Sequence, residues 1–108
     1  LTIIYAEDEF VFREITVPAI IKAGILRDNL HIAEDGLAAL EHLHRLQTEP
    51  ALPLVMLLDV RMPSMDGIQC AKKVQELVQA NSLQRIPFLV CCSAAIRQVS
   101  FEDELGVF

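Results

Sequence analysis

Four polar side chains at the ends of three apolar segments are the residues of this sequence best suited to chemistry. They are Glu7, Asp8, Asp59 and Ser93. In an open parallel sheet, ligands bind beyond the carboxyl ends of the strands, near the point where the strand order reverses. If the apolar segments before these residues are neighbouring parallel strands, the four side chains converge on one crevice.

Two or three carboxylates in one crevice predict a site for a hard divalent cation. Carboxylate oxygens and water are the ligands that suit Mg²⁺, or Mn²⁺ in its place. Carboxylates held close together raise one another's pKa, and a divalent cation keeps them ionised. Asp59 could then attack a phosphoryl group as a nucleophile, and Ser93 could donate a hydrogen bond to a phosphoryl oxygen.

The elements that must position these side chains alternate between short apolar runs and helical stripes. The predicted strands are Thr2–Ala6, Leu30–Ala33, Leu54–Leu58 and Ile86–Cys92. The predicted helices are Phe10–Ala23, Leu37–Gln47, a segment striped by Ile68, Ala71, Val74 and Val78, and Ala95–Leu105. Pro18 is expected to kink the first of them. Because each connection is long enough for a crossover helix, the pattern predicts an α/β fold with a doubly wound parallel sheet.

Length and composition narrow the class of protein. The 108 residues suffice for one small domain, and the net charge of -6 argues against sequence-independent binding of nucleic acid. No run of about 18 apolar residues predicts a membrane span. Cys70, Cys91 and Cys92 lack the spacing of a disulfide framework, so we interpret them as buried small hydrophobic residues. This favours a reducing, cytoplasmic compartment.

Three features together resemble the receiver domain of two-component response regulators. They are the acidic pair Glu7-Asp8, the segment Asp59-Val60-Arg61-Met62-Pro63-Ser64-Met65-Asp66-Gly67, and Ser93-Ala94 after an apolar strand. The resemblance covers the whole chain and implies a flavodoxin-like fold with strand order 2-1-3-4-5. It also implies that a fifth strand and helix are missing, so residues 1–108 are interpreted as a C-terminally incomplete receiver domain.

The resemblance implies a role for each matching residue. Asp59 would accept a phosphoryl group from a phosphohistidine and contribute to a Mg²⁺ site. Asp8 would bind the metal directly, Glu7 directly or through water, and Arg61 through its backbone carbonyl. Ser93 would be the switch hydroxyl that turns toward the phosphoryl group. The implied partners are a histidine kinase or histidine phosphotransfer protein, an attached output or kinase domain, and a second copy in a homodimer, with no direct contact to nucleic acid or membrane.

Departures from the family pattern leave alternatives open. The Lys-Pro pair that the family carries after its fifth strand is absent from the sequence, and Glu7 replaces the more usual aspartate. The chain could therefore be a degenerate receiver that binds a partner without phosphorylation. A phosphohydrolase with an aspartate nucleophile is disfavoured, because it needs a second Asp where this chain has Arg61. We expect a domain that assists its own phosphorylation and dephosphorylation and is not a turnover enzyme.

Overall fold

The computed structural model describes residues 1–48 and 53–92, which form a parallel sheet flanked by helices. The strands are β1 (Thr2–Ala6), β2 (Leu30–Ala33), β3 (Leu54–Asp59) and β4 (Phe88–Cys92). The α-helices are α1 (Phe10–Lys22), α2 (Gly36–Leu46) and α3 (Gly67–Gln79), and a short 3₁₀ turn, Arg27–Asn29, precedes β2.

The strands lie in the order β2-β1-β3-β4, and every pairing is parallel. At the carboxyl edge, Ala6 of β1 pairs with Ala33 of β2 and with Leu58 of β3, while Asp59 pairs with Cys92 of β4. The predicted fold class and the predicted order of these four strands are confirmed. The chain reverses its direction of winding between β1 and β3, so the crevice expected for ligands lies where these two strands end.

One face of the sheet carries the hydrophobic core. Leu54, Met56 and Leu58 of β3 are buried, whereas the residues between them are half-buried, as the two-residue period of a strand requires. Helices α2 and α3 cover this face, with Leu43 and Val74 almost completely buried. Each such side chain contributes about 1.5–3 kcal/mol of transfer free energy, so this layer holds β1 and β3 side by side.

Helix α1 differs from the other two because none of its residues is buried. Phe10, Val11 and Ile15 are 64%, 63% and 66% exposed. The helix spans Pro18 as a single element. Pro18 has no N–H to donate to the carbonyl of Glu14, and because both residues are exposed, water can satisfy that carbonyl.

Several predicted boundaries shift by one or two residues. Strand β4 begins at Phe88 and not at Ile86, and Pro87 between them has no N–H for the ladder. Helix α2 begins at Gly36 because Asp35 caps it, accepting a hydrogen bond from the Ala38 N–H at 2.8 Å. Asp59 is itself the last residue of β3. The predicted helix Ala95–Leu105 lies outside the described residues.

Two further findings concern the exposed surface. Within residues 1–48 and 53–92, β4 pairs with β3 alone, and its first residue, Phe88, is 72% exposed. In the same ranges, every helix is too short or too polar to cross a bilayer.

Candidate functional site

Three carboxylates meet at the carboxyl edge of the sheet. Glu7 and Asp8 follow β1, Asp59 ends β3, and one oxygen from each residue lies within 4.8 Å of the others. The parallel pairing of β1 with β3 produces this proximity, because it carries both strand ends to the same edge. The predicted convergence of these three residues therefore occurs, and their roles as metal ligands stay predictions.

Glu7 is held at the site by both its backbone and its side chain. Its N–H donates to the carbonyl of Ala33 at 2.9 Å, and its carbonyl accepts a hydrogen bond from Arg13 Nη1 at 2.7 Å. Its Oε2 accepts a weaker hydrogen bond from the Glu9 N–H at 3.3 Å. The residue is 5% exposed, so its carboxyl group lies in a poorly hydrated environment.

The backbone of Asp59 is fixed from two sides. The N–H of the next residue, Val60, donates to the carbonyl of Cys92 at 2.9 Å, which ties the strand end to β4. On the other side, Gly67 packs so closely that a Cβ there would lie 2.1 Å from the Asp59 carbonyl oxygen. The first turn of α3 therefore lies directly against the backbone of Asp59.

A capping box sets the position of that first turn. Asp66 accepts a hydrogen bond from the Gln69 N–H at 2.8 Å, and the Gln69 side chain accepts one from the Asp66 N–H at 3.0 Å. Asp66 is therefore the N-cap residue of α3. The cap fixes where α3 begins, and so where Gly67 meets Asp59.

The electrostatics of the cluster suit a divalent cation. The pKa of Glu7 is raised to about 7, first by burial and then by its hydrogen bond with Asp59. Asp8 Oδ1 is buried and accepts no hydrogen bond from the described residues. A hard cation would supply the missing positive partner to this oxygen and would keep all three carboxyl groups ionised. The donor set therefore fits Mg²⁺.

The raised pKa of Glu7 predicts an unusual pH dependence of stability in the metal-free protein. An acid whose pKa is higher in the folded state stabilises that state below its unfolded pKa, and the contribution is lost as pH rises to the folded pKa. For Glu7 this window runs from 4.5 to about 7. In EDTA, the free energy of unfolding measured with urea should fall by on the order of 3 kcal/mol as the pH rises across that window. Glu7→Gln should remove this component. If plots of unfolding free energy against pH run parallel for the wild type and the variant, the assignment is contradicted.

A cavity of about 340 Å³ adjoins the carboxylates on the α1 face of the sheet. Its walls are formed by Tyr5, Glu7, Phe12, Thr16, Leu57, Asp59 and Cys92.

Cys92 is exposed, so its interpretation as a buried hydrophobic residue is wrong. Neighbouring residues of a strand point to opposite faces, and Cys91 takes the core side while Cys92 faces the cavity.

Ser93 and Arg61 are the two remaining predicted site residues. Ser93 lies outside the described residues. Arg61 is exposed in the loop after β3, and a ligand role for its carbonyl stays a prediction. Sequence reasoning missed Arg13, whose contact with Glu7 is described above. The available signal was a cation in the first turn of the helix that follows an acidic strand end.

Comparison with known proteins identifies the family. The family model of the response regulator receiver domain matches residues 3–98. The chain belongs to this family. It is thus a receiver domain of two-component or phosphorelay signalling, as the acidic pair and the Asp59–Gly67 segment indicated.

One curated relative and two solved structures illustrate the match. The receiver domain is 27% identical over 103 residues to hybrid signal transduction histidine kinase K of Dictyostelium discoideum, a match that covers 94% of this chain and only 8% of that protein. The receiver domain of the histidine kinase CKI1 from Arabidopsis thaliana, complexed with Mg²⁺ and BeF₃⁻, has a TM-score of 0.77 at 18% identity, covering 98% of this chain and 76% of that one. The receiver domain of Saccharomyces cerevisiae Ssk1, in complex with the histidine phosphotransfer protein Ypd1, has a TM-score of 0.69 at 18% identity, covering 100% and 74%. At these identities the two structures establish the shared fold.

Proposed function

We propose that this receiver domain accepts a phosphoryl group from a phosphohistidine onto Asp59, with Mg²⁺ or Mn²⁺ bound beside it, and thereby switches a partner-binding or output surface. The observation that carries the proposal is the convergence of Glu7, Asp8 and Asp59, whose carboxylate oxygens lie within 4.8 Å of one another. The Mg²⁺ and BeF₃⁻ in the CKI1 receiver complex support the same type of ligand for this chain.

Each residue has a definable part in the transfer. Asp8, Glu7, Asp59 and the Arg61 carbonyl would hold the cation, which supplies positive charge to the phosphoryl oxygens when bound. An Asp59 carboxylate oxygen forms the new P–O bond while the P–N bond of the donor breaks and its electron pair returns to the imidazole. Asp59 is half-buried, so a donor can reach it from the edge of the sheet. The hydroxyl of Ser93 would then turn toward the phosphoryl group and donate a hydrogen bond to one of its oxygens, which couples phosphorylation to the switch.

The proposed phosphodonor is a histidine phosphotransfer protein or a histidine kinase. The Ypd1–Ssk1 complex supports this class of partner. On this chain, the apolar residues Phe10, Val11 and Ile15 are exposed on α1 close after Glu7 and Asp8, and they could contact such a partner. An attached kinase or output domain, a homodimer and a cytoplasmic location stay predictions, as does the absence of turnover on a separate substrate.

Labelling of the wild-type protein with radioactive acetyl phosphate tests this proposal. With Mg²⁺ we expect a label that hydroxylamine removes, as it removes an acyl phosphate. In EDTA the label should fall about tenfold or more, because the carboxylates then lack the cation that the transfer requires. Equal labelling with and without Mg²⁺, or no labelling at all, would contradict the assignment.

One observation favours the alternative of a phosphorylation-independent interaction module. With the pKa of Glu7 near 7, a proton competes with the cation for the site at neutral pH. Titrating Mg²⁺ by calorimetry at about pH 8, where Glu7 is mostly ionised, separates the two functions. Binding in the millimolar range or tighter supports the phosphoacceptor, and its absence supports the interaction module.

A further inference from the structure

Arg13 makes two hydrogen bonds that bracket the acidic turn between β1 and α1. Its Nη1 donates to the carbonyl of Glu7 at 2.7 Å, and its backbone N–H donates to the carbonyl of Glu9 at 3.1 Å. Asp8 is the residue between these two carbonyls. One residue of α1 therefore anchors the backbone on both sides of Asp8.

The guanidinium of Arg13 binds a backbone carbonyl and leaves the carboxylates free. Among the described residues, Lys73 forms an ion pair with Glu76 at 3.5 Å, far from the site in sequence. A cation paired directly with Glu7, Asp8 or Asp59 would compete with a metal ion for the same oxygens. Arg13 instead brings positive charge near the cluster without occupying its ligand atoms.

An anchor for this turn matters because its carboxyl groups and that of Asp59 repel one another once all are ionised, as cation binding requires. Three carboxyl groups lie within 4.8 Å, and the strand pairing fixes only the β1 side of the turn. A hydrogen bond from a charged donor is stronger than one between neutral groups. The contact from Arg13 to the Glu7 carbonyl can therefore keep Glu7 and Asp8 directed at Asp59 before any cation arrives.

We infer that Arg13 is a positioning residue, which holds the Glu7–Glu9 backbone so that Glu7 and Asp8 are pre-arranged with Asp59 to bind a divalent cation. This inference rests on the proposed function, since it concerns the same site. Residues that orient the ligands of a metal site typically affect its affinity by 10-fold to 100-fold.

Calorimetric titration of Mg²⁺ into the folded protein tests the inference. Arg13→Met removes both the charge and the donor at similar length, and we expect about a tenfold loss of affinity. Arg13→Gln should lose as much, because its shorter side chain does not reach the Glu7 carbonyl. Arg13→Lys retains a charge and a donor, so its affinity should stay within about threefold of the wild type. Lys22→Met is the matched control, since it removes one exposed charge from the other end of α1.

The outcomes separate positioning from other roles. A merely structural role would lower the unfolding temperature in EDTA and leave the Mg²⁺ affinity of the folded protein unchanged. Wild-type affinity in Arg13→Met or Arg13→Gln would overturn the inference, as would an equal loss in Lys22→Met or a full loss in Arg13→Lys. If Arg13→Met does not fold, Arg13→Gln decides alone. Failure of the wild type itself to bind Mg²⁺ would instead refute the proposed function.

Discussion

Asp59→Asn is expected to reduce phosphoryl incorporation from acetyl phosphate to background, a loss of roughly a hundredfold or more. The amide keeps the size of the side chain but carries no anionic oxygen that can form the new P–O bond. The backbone around position 59 is held by the Cys92 carbonyl and by Gly67, neither of which depends on the carboxylate. The loss should therefore be chemical, and radiolabelling measures it directly.

One control variant and one stability measurement sharpen the result for Asp59. Asp28→Asn removes a carboxylate from the exposed 3₁₀ turn, and we expect it to be labelled like the wild type. Asp59→Asn also removes a charge that repels Glu7, so its free energy of unfolding in EDTA should rise by about 1 kcal/mol. Undiminished labelling of Asp59→Asn would exclude this residue as the phosphoacceptor.

Gly67→Ala is expected to disturb the site without touching a carboxylate. The added Cβ would lie 2.1 Å from the carbonyl oxygen of Asp59 and 3.3 Å from the Cα of Val60. Both neighbours are backbone atoms, so no flexible side chain can move aside, and either α3 or the end of β3 must shift. We expect a loss of about 1–3 kcal/mol in the free energy of unfolding. Labelling should also fall about tenfold, because a shift of the order of 1 Å at the nucleophile is costly.

Gly24→Ala is the matched control for this steric effect. Gly24 has a φ of +106° and no atom within 4 Å of its expected Cβ, so alanine there strains the backbone and contacts nothing. It should destabilise the protein by about 1–2 kcal/mol and leave labelling of the folded protein unchanged. If Gly67→Ala is labelled as fast as Gly24→Ala, close packing at Gly67 does not position Asp59.

The strand ends could be predicted from sequence because their signals are local. The apolar runs Thr2–Ala6 and Leu54–Leu58 each indicate a buried strand, and each is directly followed by an acid. Parallel pairing places Glu7 and Asp59 at one edge, and the resemblance to receiver domains implied that β1 and β3 are neighbours. The cap at Asp35 was predictable for the same reason, since its partner Ala38 is three residues away.

Contacts between distant elements could not be predicted in the same way. The sequence does not show why position 67 is glycine, whereas the structure does, because a Cβ there would lie 2.1 Å from the Asp59 carbonyl oxygen. The raised pKa of Glu7 depends on how deeply neighbouring strands bury it. The exposure of Cys92 depends on which face of β4 the helices cover. No pattern along the chain encodes these distances.

The pairing of β1 with strands distant in the sequence has a kinetic consequence. Ile4 pairs with His31 on one side and with Met56 on the other, so long loops must close before the central strand gains either neighbour. Such non-local topology predicts slower folding than that of a helical bundle of similar size. Because Glu7 and Asp59 meet only across this pairing, a partly folded chain has no cation site. Mg²⁺ should consequently slow unfolding more than it accelerates folding.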